Sequence, residues 1–167
     1  LTDLQGYRQF QMINFCENEG ARVVLHEYAP WVGYHLDGSS DVEALIDEQS
    51  AAGIVHVNPA GNLSTSRKLY KKEVAAGATT NVPILVPGGL DPSVLYFALL
   101  WRDTSRELEL TLRAPDGTSL TLPLASPQGF QQPFGPDLQI AGIREDSSRG
   151  TAMVIFYLYP PEGPPDT

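Results

Sequence analysis

The chain has 167 residues, 42% of them hydrophobic, and a formal net charge of −9. That is enough for one domain or two small ones with a real core, and no run of about 18 apolar residues offers a membrane span. The acidic surface repels phosphate backbones and argues against a nucleic-acid partner, and a single cysteine, Cys16, excludes an internal disulfide and a cysteine metal cluster.

The opening Leu-Thr-Asp-Leu-Gln-Gly has neither a basic start nor an apolar stretch, so no signal peptide is legible, which does not exclude secretion. From Thr2 to about Asn18, apolar residues recur at Leu4, Tyr7, Phe10, Ile13 and Cys16, with Met12 and Phe15 between them. This spacing predicts a helix with a wide apolar face, well buried, carrying Cys16 as a buried, inert thiol. Thr2 and Gln5 form a capping-box pattern, and Gly20 fits the C-terminal stop.

Ala21 to Tyr28 is a largely apolar run suited to a strand buried on both faces. A loop follows through Pro30, Trp31 and Gly33, with His35 read as a surface residue. Ser40 and Glu43 make a second capping box, Val42, Leu45, Ile46 and Gln49 a helical stripe, and Gly53 a stop. Ile54 to Val57 is the next strand. Strand–helix–strand order predicts parallel strands joined by a right-handed crossover. Tyr28-Ala29 and Asn58-Pro59-Ala60-Gly61-Asn62 then emerge at the same carboxyl edge, where open α/β sheets place ligands and chemistry. Two parallel strands do not make a stable sheet alone, so this half calls for more strands.

All three lysines, Lys68, Lys71 and Lys72, fall in one basic stretch that reads as a solvated face. Near residue 77 the pattern changes to short alternating runs separated by Pro and Gly. Strands are predicted at Val82–Val86, Val94–Arg102, Leu108–Arg113, Leu120–Leu124, Leu138–Ile143 and Met153–Tyr159. Leu108, Leu110 and Leu112 alternate with Glu109, Thr111 and Arg113, as in an antiparallel strand with one buried face. The fold class is therefore α+β: a partial helix–strand–helix–strand α/β unit over 1–76, then an antiparallel β-sandwich or jelly roll over 77–167 with a Pro-rich tail.

Four pieces occur in order: Asn18-Glu19-Gly20-Ala21-Arg22-Val23-Val24, Asp37-Gly38-Ser39-Ser40, Ala51-Ala52-Gly53-Ile54-Val55-His56-Val57 and Ala60-Gly61-Asn62. Together they resemble the middle of the catalytic domain of subtilisin-like serine proteases. The β-rich part resembles the jelly-roll domains that some bacterial relatives insert after the oxyanion asparagine. The resemblance implies that Asn62 donates its amide N–H to the oxyanion, since a neutral amide is a donor that does not titrate. It also implies that Pro59, Ala60 and Gly61 wall the pocket for the substrate side chain, and that Glu27, Tyr28 and Ala29 form the other substrate-binding segment. In the last of these, Glu-Tyr-Ala-Pro replaces the family's small, Gly-rich sequence. The implied partner is a peptide or protein substrate, and the implied location secreted or cell-surface. No cofactor is expected; the resemblance allows calcium, but no Asp-x-Asp-x-Asp-Gly loop is present.

The family's Asp-Thr/Ser-Gly and His-Gly-Thr motifs do not appear. Gly117-Thr118-Ser119 matches the start of its serine motif, but the context Ala-Pro-Asp-Gly-Thr-Ser-Leu-Thr-Leu is that of a β-hairpin turn, so Ser119 is rejected as nucleophile. His26 and His56 fall at neighbouring strand positions; two His without clustered carboxylates make a poor metal site, and a structural role is favoured. Ala-Gly-Asn at a strand end also reads as a plain turn. The expectation is a fragment of a serine endopeptidase, inert alone. The alternative is a non-catalytic β-sandwich binding module on a pseudoprotease scaffold, with Tyr96, Trp101, Tyr157 and Tyr159 as its aromatics.

Overall fold

The computed structural model describes residues 2–27, 33–60, 65–66, 68–86, 94–124 and 129–161, with side chains from residue 7 onward. Helix α1 (Thr2–Asn18) leads to β1 (Val23–Leu25), helix α2 (Asp41–Ala51) and β2 (Val55–Val57). The strands β1 and β2 pair in parallel, with Val23, Val24 and Leu25 opposite Val55, His56 and Val57. The ladder extends by one bond at each end, Val55 N–H to Arg22 O and His26 N–H to Val57 O, both 2.9 Å.

Helix α2 starts where its sequence dictates. Ser40 Oγ accepts from Glu43 N–H, and the Glu43 carboxylate accepts from Ser40 N–H, a complete capping box. Such a cap stabilises a helix end by about 1 kcal/mol. Val42, Leu45 and Ile46 pack against Phe10 and Ile13 of α1.

Helix α1 forms over the predicted span, but its apolar face is much less buried than its pattern predicts. Among its described side chains only Ile13 is fully buried; Tyr7, Met12 and Phe15 are exposed, and Cys16 is half-buried rather than enclosed. The reason is that α2 covers one narrow side of α1, and among the described residues the wide stripe has no second element packed on it. The capping pattern at Thr2 and Gln5 falls outside the described side chains. Likewise β1 is buried on one face only: Val24 and His26 are covered, whereas Val23 and Leu25 are exposed.

The second half is antiparallel. Strands β3 (Leu95–Arg102), β8 (Thr151–Tyr159), β7 (Gln139–Asp146) and β6 (Phe130–Pro133) form one sheet in that order. Strands β4 (Leu110–Arg113) and β5 (Ser119–Leu122) form a hairpin. Leu110, Leu112, Leu120 and Leu122 of the hairpin pack against Phe97, Leu99, Ile140, Val154 and Phe156 of the sheet. The two layers make a small sandwich, and the overall class is mixed α+β.

Two strand assignments change. Val82–Val86 forms no strand, and Val82, Ile84, Leu85 and Val86 are exposed; Pro83 removes a ladder donor from this run. Strand β6 arises instead from Phe130-Gln131-Gln132-Pro133, a sequence of low strand propensity. It is held at the edge by pairing with β7, where its Pro is tolerated.

Arg144 is the buried cation of this half, its side chain 7% exposed. It donates to both oxygens of Asp146 (3.0 and 3.2 Å), to Leu124 O (3.0 Å), to Thr104 O (3.3 Å) and to Glu107 (3.3 Å). Its guanidinium lies 5.1 Å from the centre of the Trp101 ring, whose N–H donates to Arg106 O. Every donor has an acceptor, which is what makes a buried guanidinium tolerable.

Gly142 on β7 faces Phe130 on β6. A Cβ there would lie 2.5 Å from the Phe130 ring and 3.2 Å from Ile155 O. Gly142→Ala is therefore expected to cost about 1–3 kcal/mol, the usual range for overpacking. Urea denaturation measures this, and Phe130→Leu in the same chain should recover part of the loss.

Candidate functional site

The chain leaves β1 and β2 at one edge, because the strands are parallel and end in register at Leu25 and Val57. Glu27, Pro59 and Ala60 follow at that edge and are exposed. Tyr28, Ala29, Gly61 and Asn62, the remaining residues expected at the site, lie outside the described residues.

Just inside the edge, on the covered face of the sheet, His26 meets His56. Their rings are 5.2 Å apart, and His26 Nε2 lies 2.9 Å from His56 Nδ1. One ring N–H is shared across this contact. Whichever nitrogen donates it, His56 Nε2 is buried without a hydrogen-bond partner among the described residues. Burial, and then the neighbouring His56, push His26 below the usual histidine value. The expectation of adjacent histidines follows from the parallel register, Val24 opposite His56. Among the described residues no group of three or more His, Cys, Asp and Glu is placed to hold a metal ion.

A second polar cluster was not legible in the sequence. The loop after β1 reaches the turn between β7 and β8. Asp37, its side chain 8% exposed, accepts from Ser147 Oγ at 2.6 Å and from Ser39 N–H at 3.1 Å, with Arg102 at 3.7 Å. Burial alone would raise the Asp37 carboxyl, but hydrogen bonds from Ser147, Ser39 and Thr151 outweigh it and hold it far below the usual carboxylate range. His35, read from sequence as a surface residue, is half-buried and contacts Glu145 O at 3.1 Å.

This cluster holds a Ser, a His and an Asp, yet the wiring is not that of a nucleophile. Ser147 bonds directly to the carboxylate, and its Oγ also accepts from Arg149 N–H and Thr151 N–H, closing the turn. The His35 ring contacts a carbonyl instead of the serine. No imidazole stands between serine and carboxylate to take the proton. Ser119 fares no better: it opens β5 opposite Arg113 in the hairpin, beside Gly117 at φ 93°.

Of the aromatics considered for binding, Tyr159 is buried, Trp101 underlies Arg144, and Tyr96 is exposed. No helix among the described residues is long and apolar enough to cross a membrane. Comparison with family models, with curated proteins and with solved structures finds no match.

The histidine pair makes stability depend on pH. His26 resists protonation in the fold, whereas the unfolded chain takes up that proton near about pH 6.5. Acid therefore favours the unfolded chain, and stability is lost as pH falls below that value. Urea denaturation at about pH 7.5 and about pH 5.5 should show the loss. His26→Phe should shrink the difference between the two conditions.

Proposed function

We propose that this chain is the central part of a subtilisin-like serine endopeptidase, with a β-sandwich inserted after the oxyanion asparagine. One observation carries the reading. A parallel β1–α2–β2 unit ends β2 at the carboxyl edge, directly before Pro59-Ala60-Gly61-Asn62, and the chain then enters an antiparallel sandwich. Order of elements and order of motifs support the same ancestry.

In the intact enzyme the reaction is acyl transfer to a serine and then to water. Asn62 would supply one donor to the oxyanion as the peptide carbonyl becomes tetrahedral. Pro59, Ala60 and Gly61 on one side and Glu27, Tyr28 and Ala29 on the other would line the substrate. The exposed carboxylate at Glu27 favours a basic or polar residue in the peptide over an acidic one. Nucleophile, base and orienting acid would come from other polypeptide segments, so the chain alone is inert.

The second reading, a binding module, draws on a different observation: the β half closes its own core while the α/β half does not. In it, residues 80–160 do the work and the α/β unit is a scaffold.

Two measurements test these readings. A fluorophosphonate probe should leave this chain unlabelled under both, and labelling at Ser119 or Ser147 would overturn both assignments. In a longer chain carrying the triad, Asn62→Ala should lower kcat by on the order of 10²–10³-fold with KM little changed. An unchanged kcat would reduce Asn62 to a turn residue and favour the binding module.

A further inference from the structure

The loop at residues 35–39 and the turn at 147–151 are 110 residues apart in sequence and share a network of polar contacts. Arg149 donates to Asp37 O at 2.9 Å and its guanidinium lies 4.0 Å from Asp47 of α2. Arg102 of β3 donates to Leu36 O at 2.9 Å, to His35 O at 3.4 Å and to Thr151 Oγ1. The loop backbone is shaped for this approach. Leu36 has φ 54° and Gly38 φ 78°, and a Cβ on Gly38 would lie 2.4 Å from the Arg149 guanidinium. At the centre is one hydroxyl. Ser147 Oγ accepts the two N–H groups that close its own turn and gives its proton to Asp37.

We propose that Asp37 and Ser147 form a latch through which docking of the β7–β8 turn fixes residues 35–39, ahead of α2. Without the turn the largely covered Asp37 carboxylate loses its shortest donor, so the loop conformation is weakened when the turn leaves. The turn in turn loses an acceptor for its shared hydroxyl if the loop leaves. The two segments are thus stable together or loosened together. The β half thereby holds residues 35–39, which lead into α2, and whatever displaces the turn releases them. The inference rests on these contacts and not on the protease reading; it holds or fails whether or not Asn62 serves an oxyanion.

Amide hydrogen exchange on the full chain tests it. Ser147→Ala should speed exchange at residues 35–40 by roughly ten- to a hundred-fold, the worth of one charge-assisted hydrogen bond. Asp37→Asn should speed exchange at residues 147–151 to a similar degree, while the β4–β5 hairpin and the α1–α2 contact keep their protection. The double variant should be no looser than either single one. If a variant at Asp37 or Ser147 does not fold, Arg149→Ala leaves the shared hydroxyl in place and should still speed exchange at residues 35–40. Loosening confined to the mutated side, or strictly additive effects, would overturn the latch.

Discussion

Strand β8 is buried on both faces from Thr151 to Phe156, and the surrounding structure is arranged to keep it so. It sits between β3 and β7, and its register with both is unbroken. One face presents Val154 and Phe156 to the β4–β5 hairpin. The other presents Thr151, Met153 and Ile155, and Asp37 of the loop after β1 meets Thr151 at its end. Burying side chains of this size contributes about 1.5–3 kcal/mol each. The polar groups at the margin then have to be matched: Arg144 by Asp146, Glu107 and carbonyls, Asp37 by Ser147, Ser39 and Arg102.

The two halves differ in how complete they are. The β half encloses a core with Ile140, Val154 and Phe156 at no measurable exposure. The α/β half presents Val23, Leu25, Val55 and Val57 on an uncovered face, each exposed by 46% or more. Parallel sheets are ordinarily covered on both faces, and two strands are marginal alone. An α/β unit with one helical layer and an open apolar face matches a segment of a larger sheet.

Local signals were the readable ones. The capping box at Ser40 and Glu43 was visible because its atoms lie three residues apart, and the hairpin around Gly117 because Asp-Gly specifies its turn. Strands β3 and β8 were legible from their long apolar and aromatic runs, whereas β7 was legible only to Ile143 and continues through the polar Arg144-Glu145-Asp146. Strand β6 was not, because Gln-Gln-Pro becomes a strand only when β7 offers an edge. Val82–Val86 had the composition of a strand but pairs with no strand among the described residues. The apolar face of α1 showed the opposite error: hydrophobicity marked Tyr7, Met12 and Phe15 for burial, but burial needs a neighbour.

The sequence by itself determined the class: two helices with their stops, a parallel pair, an alternating β half, and the edge at which Glu27, Pro59 and Ala60 emerge. These follow from periodicity and capping, which act within a few residues. Only the tertiary structure decided that His26 and His56 share a hydrogen bond, that Arg144 is fully paired, and that Asp37 is buried against Ser147. Hydrogen bonds between segments 20 to 110 residues apart follow no sequence period. Their partners are chosen by which surfaces the packed strands bring together.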